Sequence, residues 1–329
     1  MKAIVCTKYG SPDVLQFKEV EKPTPRDDEV LVKIHAASVN AYDWHLLTAD
    51  IFLVRLMGGG LLRPAKGIPG ADIAGRIEAA GSHVKQFRKG DEVFGDISPC
   101  CNGGFAEYVS VPESLLALKP TNLTFEEAAA VPMASLTALQ GLRDQRQIQA
   151  GQKVLIQGAS GGVGTFAVQI AKSFGAEVTA VCSTRNLDQA RSLGADHVID
   201  YTKEDFTQSG QQYDLIFAAN GYHSLSAYKR ALTPKGIYVM AGGSMAQIFQ
   251  AMLLGSLMST AGGKKMRGVS AKPNQEDLAF MKSLLEAGKV VPVIDRHYPL
   301  SETAEALRYL GEGHARGKIV ITVEHSGKP

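Results

Sequence analysis

Short apolar runs recur along the chain in two rhythms. Up to about residue 122 they are brief and close together: Ala3 to Cys6, Glu29 to Ala36, Ile73 to Ala79, Glu92 to Gly95 and Ala106 to Val111. Pro23, Pro25, Gly70, Gly81, Gly90 and Pro112 punctuate them, which predicts a small β-rich unit. From Thr124 the rhythm lengthens. Thr124 followed by Glu127 has the form of a capping box. Apolar strands at 153–157, 177–181, 197–199, 214–218 and 237–241 then alternate with helical spacing. That alternation predicts a doubly wound parallel sheet. A last helix, Ser301 to Leu310, precedes the strand Lys318 to Val323, and the tail from about 293 is expected to return to the first unit. The predicted organisation is therefore α/β: residues 1–122 with 293–329 in one domain, 123–292 in the other. No repeat or low-complexity tract interrupts it.

Chemistry enters where Lys153 to Gln157, a run suited to a buried parallel strand, breaks into glycines at Gly158-Ala159-Ser160-Gly161-Gly162-Val163-Gly164. Phe166 to Lys172 then has helical spacing, and a second strand follows at Glu177 to Val181. A turn without side chains lets backbone N–H groups and a helix N-terminus approach a pyrophosphate. The match is to an A-x-G-x-x-G form, with Ala159 at the first position. A plain strand–helix turn is the competing reading, but the order strand, turn, helix, strand favours a dinucleotide. Ala159, Ser160, Gly161, Gly162 and Val163 are the candidate contacts.

An NAD site places Asp or Glu at the end of the second strand. This chain has Cys182-Ser183-Thr184-Arg185-Asn186 there, with no carboxylate to repel a 2′-phosphate. Ser183 and Arg185 instead offer a hydroxyl and a planar cation, so NADPH is the expected cofactor. The opposing reading makes Arg185 a solvated residue opening the next helix. Tyr201, after the strand His197 to Asp200, is a candidate for the adenosine end. Two further strand ends, Ala218-Ala-Asn220-Gly and Met240-Ala-Gly242-Gly243, carry small residues that would let backbone meet the nicotinamide half.

Composition narrows the function classes. The 329 residues hold 35 Lys plus Arg against 33 Asp plus Glu, a net charge of +2, and no basic stripe points to nucleic acid. The four cysteines, Cys6, Cys100, Cys101 and Cys182, are badly spaced for a disulfide framework and suit a reducing compartment. Met1 runs straight into a strand-like segment with no signal or transit pattern. The apolar stretch Met245 to Met258 is interrupted by Gln247, Gln250, Gly255 and Ser256, short of the ~20 apolar residues of a spanning helix. It reads as core or subunit interface, as a substrate-cleft wall, or as a peripheral membrane contact with Lys264, Lys265 and Arg267. A soluble cytoplasmic protein with no integral membrane segment is expected.

Several elements together resemble a known family: Ser38 to Trp44, Pro69 to Gly75, Lys89 to Phe94, Gly104 to Tyr108, Pro132 to Ala138, the Gly158–Gly164 turn and Gly313 to Val320. They resemble the zinc-independent quinone oxidoreductase branch of the medium-chain dehydrogenase/reductase superfamily. The resemblance implies a GroES-like catalytic domain plus a Rossmann domain, nicotinamide held in the cleft between them, and a homodimer or other homo-oligomer. It also implies site residues. Asn40 would orient a substrate carbonyl or a ribose hydroxyl, with Tyr42 and Asp43 as further catalytic candidates, Asp43 alternatively bracing its loop. Thr137 would contact the nicotinamide end, and Lys318 would lie near the cofactor unless it is a solvated strand-start lysine. Ala41 departs from the family, where proline is usual. The segment Leu46 to Lys66, with Gly58 to Gly60, is longer than in simple members.

The Gly-His-Glu element that supplies a zinc ligand in related alcohol dehydrogenases is replaced by Gly70-Ala71-Asp72, and Cys100-Cys101 is only an adjacent pair. His45 beside Asp43 reads as a turn histidine. No metal is expected. Without a Lewis acid, an acceptor that spreads incoming charge onto a remote oxygen, a quinone or an α,β-unsaturated carbonyl, is the expected small-molecule partner. Two alternatives stay open: an NADPH-binding regulatory or structural protein of the same fold, and alcohol dehydrogenase activity.

Overall fold

The computed structural model describes residues 1–49, 64, 67–99, 103–146, 148–242 and 263–325. Gly243, Cys100-Cys101, Gly58 to Gly60 with most of the 46–66 segment, and the Met245 to Met258 stretch lie outside them. The chain divides into two compact units: Met1–Met133 with Pro273–Glu286 and Pro292–Pro329, and Ala134–Lys272 with Ala287–Val291.

The first unit begins with a hairpin, β1 (Lys2–Val5) on β2 (Gln16–Glu19). Its main sheet contains β3 (Glu29–Val39), β4 (Asp72–Ala80), β5 (Glu92–Asp96), β6 (Tyr108–Pro112), β7 (Leu116–Leu118), β14 (Ile294–Pro299) and β15 (Lys318–Thr322). The order is β14-β15-β3-β4-β5-β7, with β6 also on β3. The long β3 is the spine. Its buried face carries Val30, Val32 and Ile34, which join Ile73, Ile77, Val93, Phe105 and Ile321 in one apolar core. Helices α1 (Ala41–Thr48), α2 (Phe125–Ala129) and α8 (Thr303–Gly311) accompany the sheet. Gly311 exists to admit α1: a Cβ there would lie 2.4 Å from the Trp44 ring.

Register is what matters for chemistry. Ser38 pairs with Asp72 across β3–β4, and Asp72 with Asp96 across β4–β5. Directly opposed residues project to the same face, so three polar side chains form a row. On the other side of β3, Ile319 pairs with Val39, which brings Lys318, at the start of β15, to the level of Asn40.

The second unit holds α3 (Pro132–Arg146, from Ala134), β8 (Lys153–Gln157), α4 (Gly162–Ser173), β9 (Glu177–Cys182), α5 (Leu187–Ser192), β10 (His197–Asp200), β11 (Tyr213–Ala218), α6 (Leu225–Arg230), β12 (Leu232–Met240) and β13 (Lys265–Gly268). All strand pairs are parallel, in the order β10-β9-β8-β11-β12-β13. Counted from β8 this is 3-2-1-4-5-6, the dinucleotide-binding order. Strand β8 is buried along Val154 to Gln157, as its unbroken apolar run predicts. Helix α3 packs on this sheet so closely that a Cβ at Gly141 would meet Phe217 at 2.4 Å.

Two sequence expectations shift. The capping box forms, with Glu127 N–H donating to Thr124 Oγ1 at 3.2 Å, but the helix it opens ends at Ala129. Helix α7 (Gln275–Glu286) belongs to the first unit although it lies inside the predicted 123–292 domain. Gln275 Nε2 donates to the carbonyls of Glu113 and Leu116, and Asn122 Nδ2 to that of Leu285, tethers invisible to a boundary drawn from composition.

Candidate functional site

In the second unit the candidate residues collect at the carboxyl ends of the parallel strands. Strand order reverses between β8 and β11, and a ligand crevice opens at such a switch point. Gly158 follows β8 and Asn220 follows β11. A Cβ on Gly158 would lie 3.0 Å from Asn220 N, so the two loops touch. Gly158 takes φ +78°, which only glycine adopts without strain. Ala159 is tolerated because the left-handed residue is the one before it, and both N–H groups donate to Val181 O at 3.1 Å. Gly164 is required by contact: its Cβ would sit 2.0 Å from Gly158 O.

Gly161 differs from both. Its φ of −82° suits any residue, and a Cβ there would meet only Gly158 O at 3.7 Å. What its missing side chain provides is space in front of helix α4. The first intrahelical bond is Thr165 N to Gly161 O at 2.9 Å, so the N–H groups of Gly162, Val163 and Gly164 precede it. A cradle of glycine with three such donors fits a pyrophosphate. Ser160, Gly162 and Val163 are half-buried around it, and Gly242, at the end of β12, is held against Ala219 O, 2.5 Å from where its Cβ would be. Thr137 lies half-buried in α3.

At the end of β9, Ser183 is half-buried and Arg185 exposed. One expectation needs correction here. A carboxylate does stand at this edge: Asp200 ends β10 in register with Cys182. Sheet order, not chain order, brings it there. Thr184 Oγ1 donates to it at 2.5 Å, Thr202 Oγ1 at 2.7 Å and Thr202 N at 3.1 Å. These hydroxyl contacts hold its carboxyl at about 2, so it is ionised with its oxygens engaged. Tyr201, about half exposed, follows it and lies 5.8 Å, centroid to centroid, from the equally exposed ring of Tyr222. Sequence reading passed over Tyr222. Behind it, Tyr228 OH donates to Gln157 Oε1 at 2.5 Å and accepts from Tyr222 N at 3.2 Å, tying that loop to β8.

The first unit holds a different construction. Asn40, 7% exposed, precedes α1, and its N–H donates to Asp43 Oδ2 at 2.9 Å. Its side-chain Nδ2 donates to Asp72 Oδ2 at 3.0 Å and Ser38 O at 3.4 Å, while Oδ1 accepts from Lys318 Nζ. Asp72 also accepts from Ser38 Oγ and Met133 N, each at 2.9 Å. The Lys318 ammonium, 3% exposed, lies 3.3 Å from Asp72 Oδ2 and 3.4 Å from Val39 O. Lys318 is thus a buried member of the Asn40 cluster, not a solvated strand-start residue.

Three carboxylates share this interior with one ammonium. Asp72 has four donors. Asp43 has one, the Asn40 N–H, and its Oδ1 makes no hydrogen bond among the described residues. Burial pushes the Asp43 carboxyl up to about 7, with the Asp72 charge adding to the shift. Asp96, opposite Asp72, is raised by burial and by that same charge. The Asp43 carboxylate closes the turn at the start of α1 by accepting the Asn40 N–H. Tyr42, half-buried, opens α1 beside it. Ser38, Asp72 and Asp96 were missed as site residues; an aspartate inside apolar strand runs was the available signal.

This chain matches the alcohol dehydrogenase GroES-like domain over residues 26–121 and the zinc-binding dehydrogenase model over 193–321. It is 39% identical to a 2-methylene-furan-3-one reductase of Solanum lycopersicum, over 98% of this chain and 79% of that protein. It is 35% identical to a chloroplastic NADPH-dependent alkenal/one oxidoreductase of Arabidopsis thaliana, with the same coverage. The quinone oxidoreductase structure from Coxiella burnetii superposes with a TM-score of 0.88 at 31% identity, covering 98% and 99% of the two chains. The chain belongs to the quinone oxidoreductase branch of the medium-chain dehydrogenase/reductase superfamily. For a member of this superfamily the Asn40 cluster is the place to test for a metal. Its donors are an amide, a carboxylate and a backbone carbonyl, and the cation already lying on all three is Lys318. That set does not fit a zinc ion, which takes thiolate, imidazole and carboxylate ligands. Among the described residues no group of three or more His, Cys, Asp or Glu converges to hold a metal, and no helix is long and apolar enough to cross a membrane.

Proposed function

We propose that this protein is an NADPH-dependent, zinc-independent reductase of quinones or α,β-unsaturated carbonyls. The observation that carries the reading is the presence of both a dinucleotide-type glycine turn and a buried polar cluster whose cation, among the described residues, is a lysine. The relatives support it: one is named as an NADPH-dependent alkenal/one oxidoreductase and one solved neighbour as a quinone oxidoreductase.

Ala159 to Val163 wrap the pyrophosphate, which takes the N–H groups of Gly162 and Val163 at the head of α4, and Ser183 and Arg185 hold the 2′-phosphate. The hydroxyls of Thr184 and Thr202 screen Asp200 from that phosphate. Tyr201 lies against adenosine; Thr137, Asn220, Gly242 and Gly243 serve the nicotinamide half. Bound NADPH supplies the hydride. Both Asn40 amide hydrogens are engaged by Asp72 and Ser38, so Asn40 serves a hydroxyl through Oδ1 and does not donate to a carbonyl. Charge reaching the acceptor's remote oxygen is then neutralised by a solvent proton. A homo-oligomer in the cytoplasm completes the reading, and the buried free thiols of Cys6 and Cys182 suit that reducing compartment.

The test is NADPH and NADH oxidation, followed at the nicotinamide absorbance, against 1,4-benzoquinone, a phenanthrenequinone and a short alkenal. NADPH-selective turnover of at least one acceptor is expected. Silence with all of them despite NADPH binding would make the chain a non-catalytic cofactor binder. Stoichiometric bound zinc with alcohol oxidation would replace the reading outright.

A further inference from the structure

We infer that Lys318 is a positioning residue that acts through Asn40, locking its side-chain amide in the one orientation that presents an acceptor and no donor. The inference rests on the NADPH-dependent reading of the site and assigns Lys318 a task other than direct contact with the cofactor.

The argument is a count of hydrogens. An ammonium has three N–H bonds and no lone pair. Lys318 Nζ faces three acceptors, Asn40 Oδ1, Asp72 Oδ2 at 3.3 Å and Val39 O at 3.4 Å, in surroundings that leave it 3% exposed. No N–H remains for a phosphate. The count also settles the amide, whose oxygen and nitrogen could otherwise be exchanged. A lysine only donates, so the atom facing it is the carbonyl oxygen. An ionised carboxylate only accepts, so the atom facing Asp72 is the NH2 group, 3.0 Å away. Its second hydrogen goes to Ser38 O. What Asn40 retains is one Oδ1 lone pair, complementary to a hydroxyl. Quinones and simple alkenals carry no hydroxyl, so the group it selects belongs to a ribose of the cofactor.

Without Lys318 nothing forces this orientation. The amide could turn over, presenting NH2 to a hydroxyl that also needs an acceptor, and the Asp72 charge would be stranded. The register explains how such distant residues meet: β15 joins β3 at Ile319–Val39, one step from both partners.

The experiment is a double-mutant cycle in the full-length protein, with Asn40→Ala, Lys318→Met and the pair, reading kcat, the KM for NADPH and the NADPH dissociation constant. Removing the ammonium alone strands Asp72, so Lys318→Met and its pair with Asn40→Ala are also made together with Asp72→Asn, the combination in which no buried charge is left unpaired. Lys318→Met is expected to weaken NADPH about tenfold, the size of one good hydrogen bond, with kcat and acceptor KM changed less. In the Asn40→Ala background the same substitution should cost less than about twofold, because the residue it works through is gone. Lys318→Arg, which restores a donor and a charge, should recover most of the loss. Additive losses would overturn the inference, since they mean that Lys318 meets the cofactor directly. A change in thermal stability alone, with NADPH affinity intact, would reduce Lys318 to a structural ion pair and overturn it too. A parent protein that neither binds nor oxidises NADPH would instead fail the functional reading, and this inference with it.

Discussion

Between Gly158 and Gly164 the chain offers backbone from which side chains have been removed; around Asn40 it buries side chains that consume one another's hydrogen bonds. The glycine turn keeps the N–H groups of Gly162, Val163 and Gly164 ahead of the first intrahelical bond by leaving helix α4 open at its N-terminus. The Asn40 cluster does the reverse, filling nearly every valence and leaving one acceptor, one orphan oxygen on Asp43 and a proton to share. The first is rigid because of close backbone approach, the second because of charge pairing in a dry interior. Their failure modes should differ accordingly.

The largest effect is expected inside the turn. Gly164→Ala would place Cβ 2.0 Å from Gly158 O, a contact with a backbone atom that no rotamer relieves. It should destabilise the protein by more than about 3 kcal/mol in urea unfolding, above the usual range for overpacking. Gly161→Ala, three residues earlier and in open space, should leave stability within about 0.5 kcal/mol yet weaken NADPH severely. If both variants unfold alike, the distinction between a packing glycine and a ligand-facing glycine is wrong.

Next comes the charge pair. Asp72→Asn leaves the Lys318 ammonium buried without its counterion and should cost about 3 kcal/mol, measured by thermal unfolding. Adding Lys318→Met should return much of it. Recovery is the informative outcome, because a cluster held by packing alone would lose further stability with the second change.

A smaller and purely ligand-directed effect is expected at Arg185. Arg185→Ala should weaken NADPH by about tenfold, one charge-assisted contact, and leave NADH nearly unchanged. Equal losses would remove the 2′-phosphate from the Ser183–Arg185 corner, and would put the carboxylate of Asp200 back among the determinants of cofactor choice.

The contrast between the two regions also explains what the sequence made legible. The glycine turn is contiguous, so strand, turn and helix could be read in order, and the strands from Lys153 to Ala218 fall within a residue or two of expectation. The cluster is not contiguous. Ser38, Asn40, Asp43, Asp72, Asp96, Met133 and Lys318 come from segments joined only by the register of β15, β3, β4 and β5. Asn40, Asp43 and Lys318 were within reach through the family resemblance, but that they bond one another was not. Asp200 was hidden for the same reason: it neighbours Cys182 only because β10 lies beside β9. Helix α7 shows it at domain scale, since two glutamine hydrogen bonds to Glu113 and Leu116 outweigh its position in the chain.

The smallest predicted effect separates the regions by pH. A free aspartate titrates near ~3.9, whereas burial holds Asp43 at about 7 in the folded chain, next to the Asp72 charge and with Lys318 only partly compensating. Between those values the folded state keeps a proton that the unfolded state has released. The stability this contributes is complete below the unfolded value and is lost as pH rises through about 7, amounting to about 1.4 kcal/mol between pH 6 and pH 8 for one such group. Asp96 shifts in the same direction, so it adds to the slope. The carboxylates of the second unit oppose it: Asp200 and Asp196 are lowered, and their contribution is present at neutral pH and lost only in acid. Asp43→Asn, neutral at every pH and able to accept from Asn40 N–H in the same place, should flatten the decline above pH 6 without touching the acid limb. Unfolding free energies across that interval decide the matter. An unchanged slope would mean that Asp43 is ionised in the folded state, and that its orphan oxygen has a partner strong enough to hold the charge.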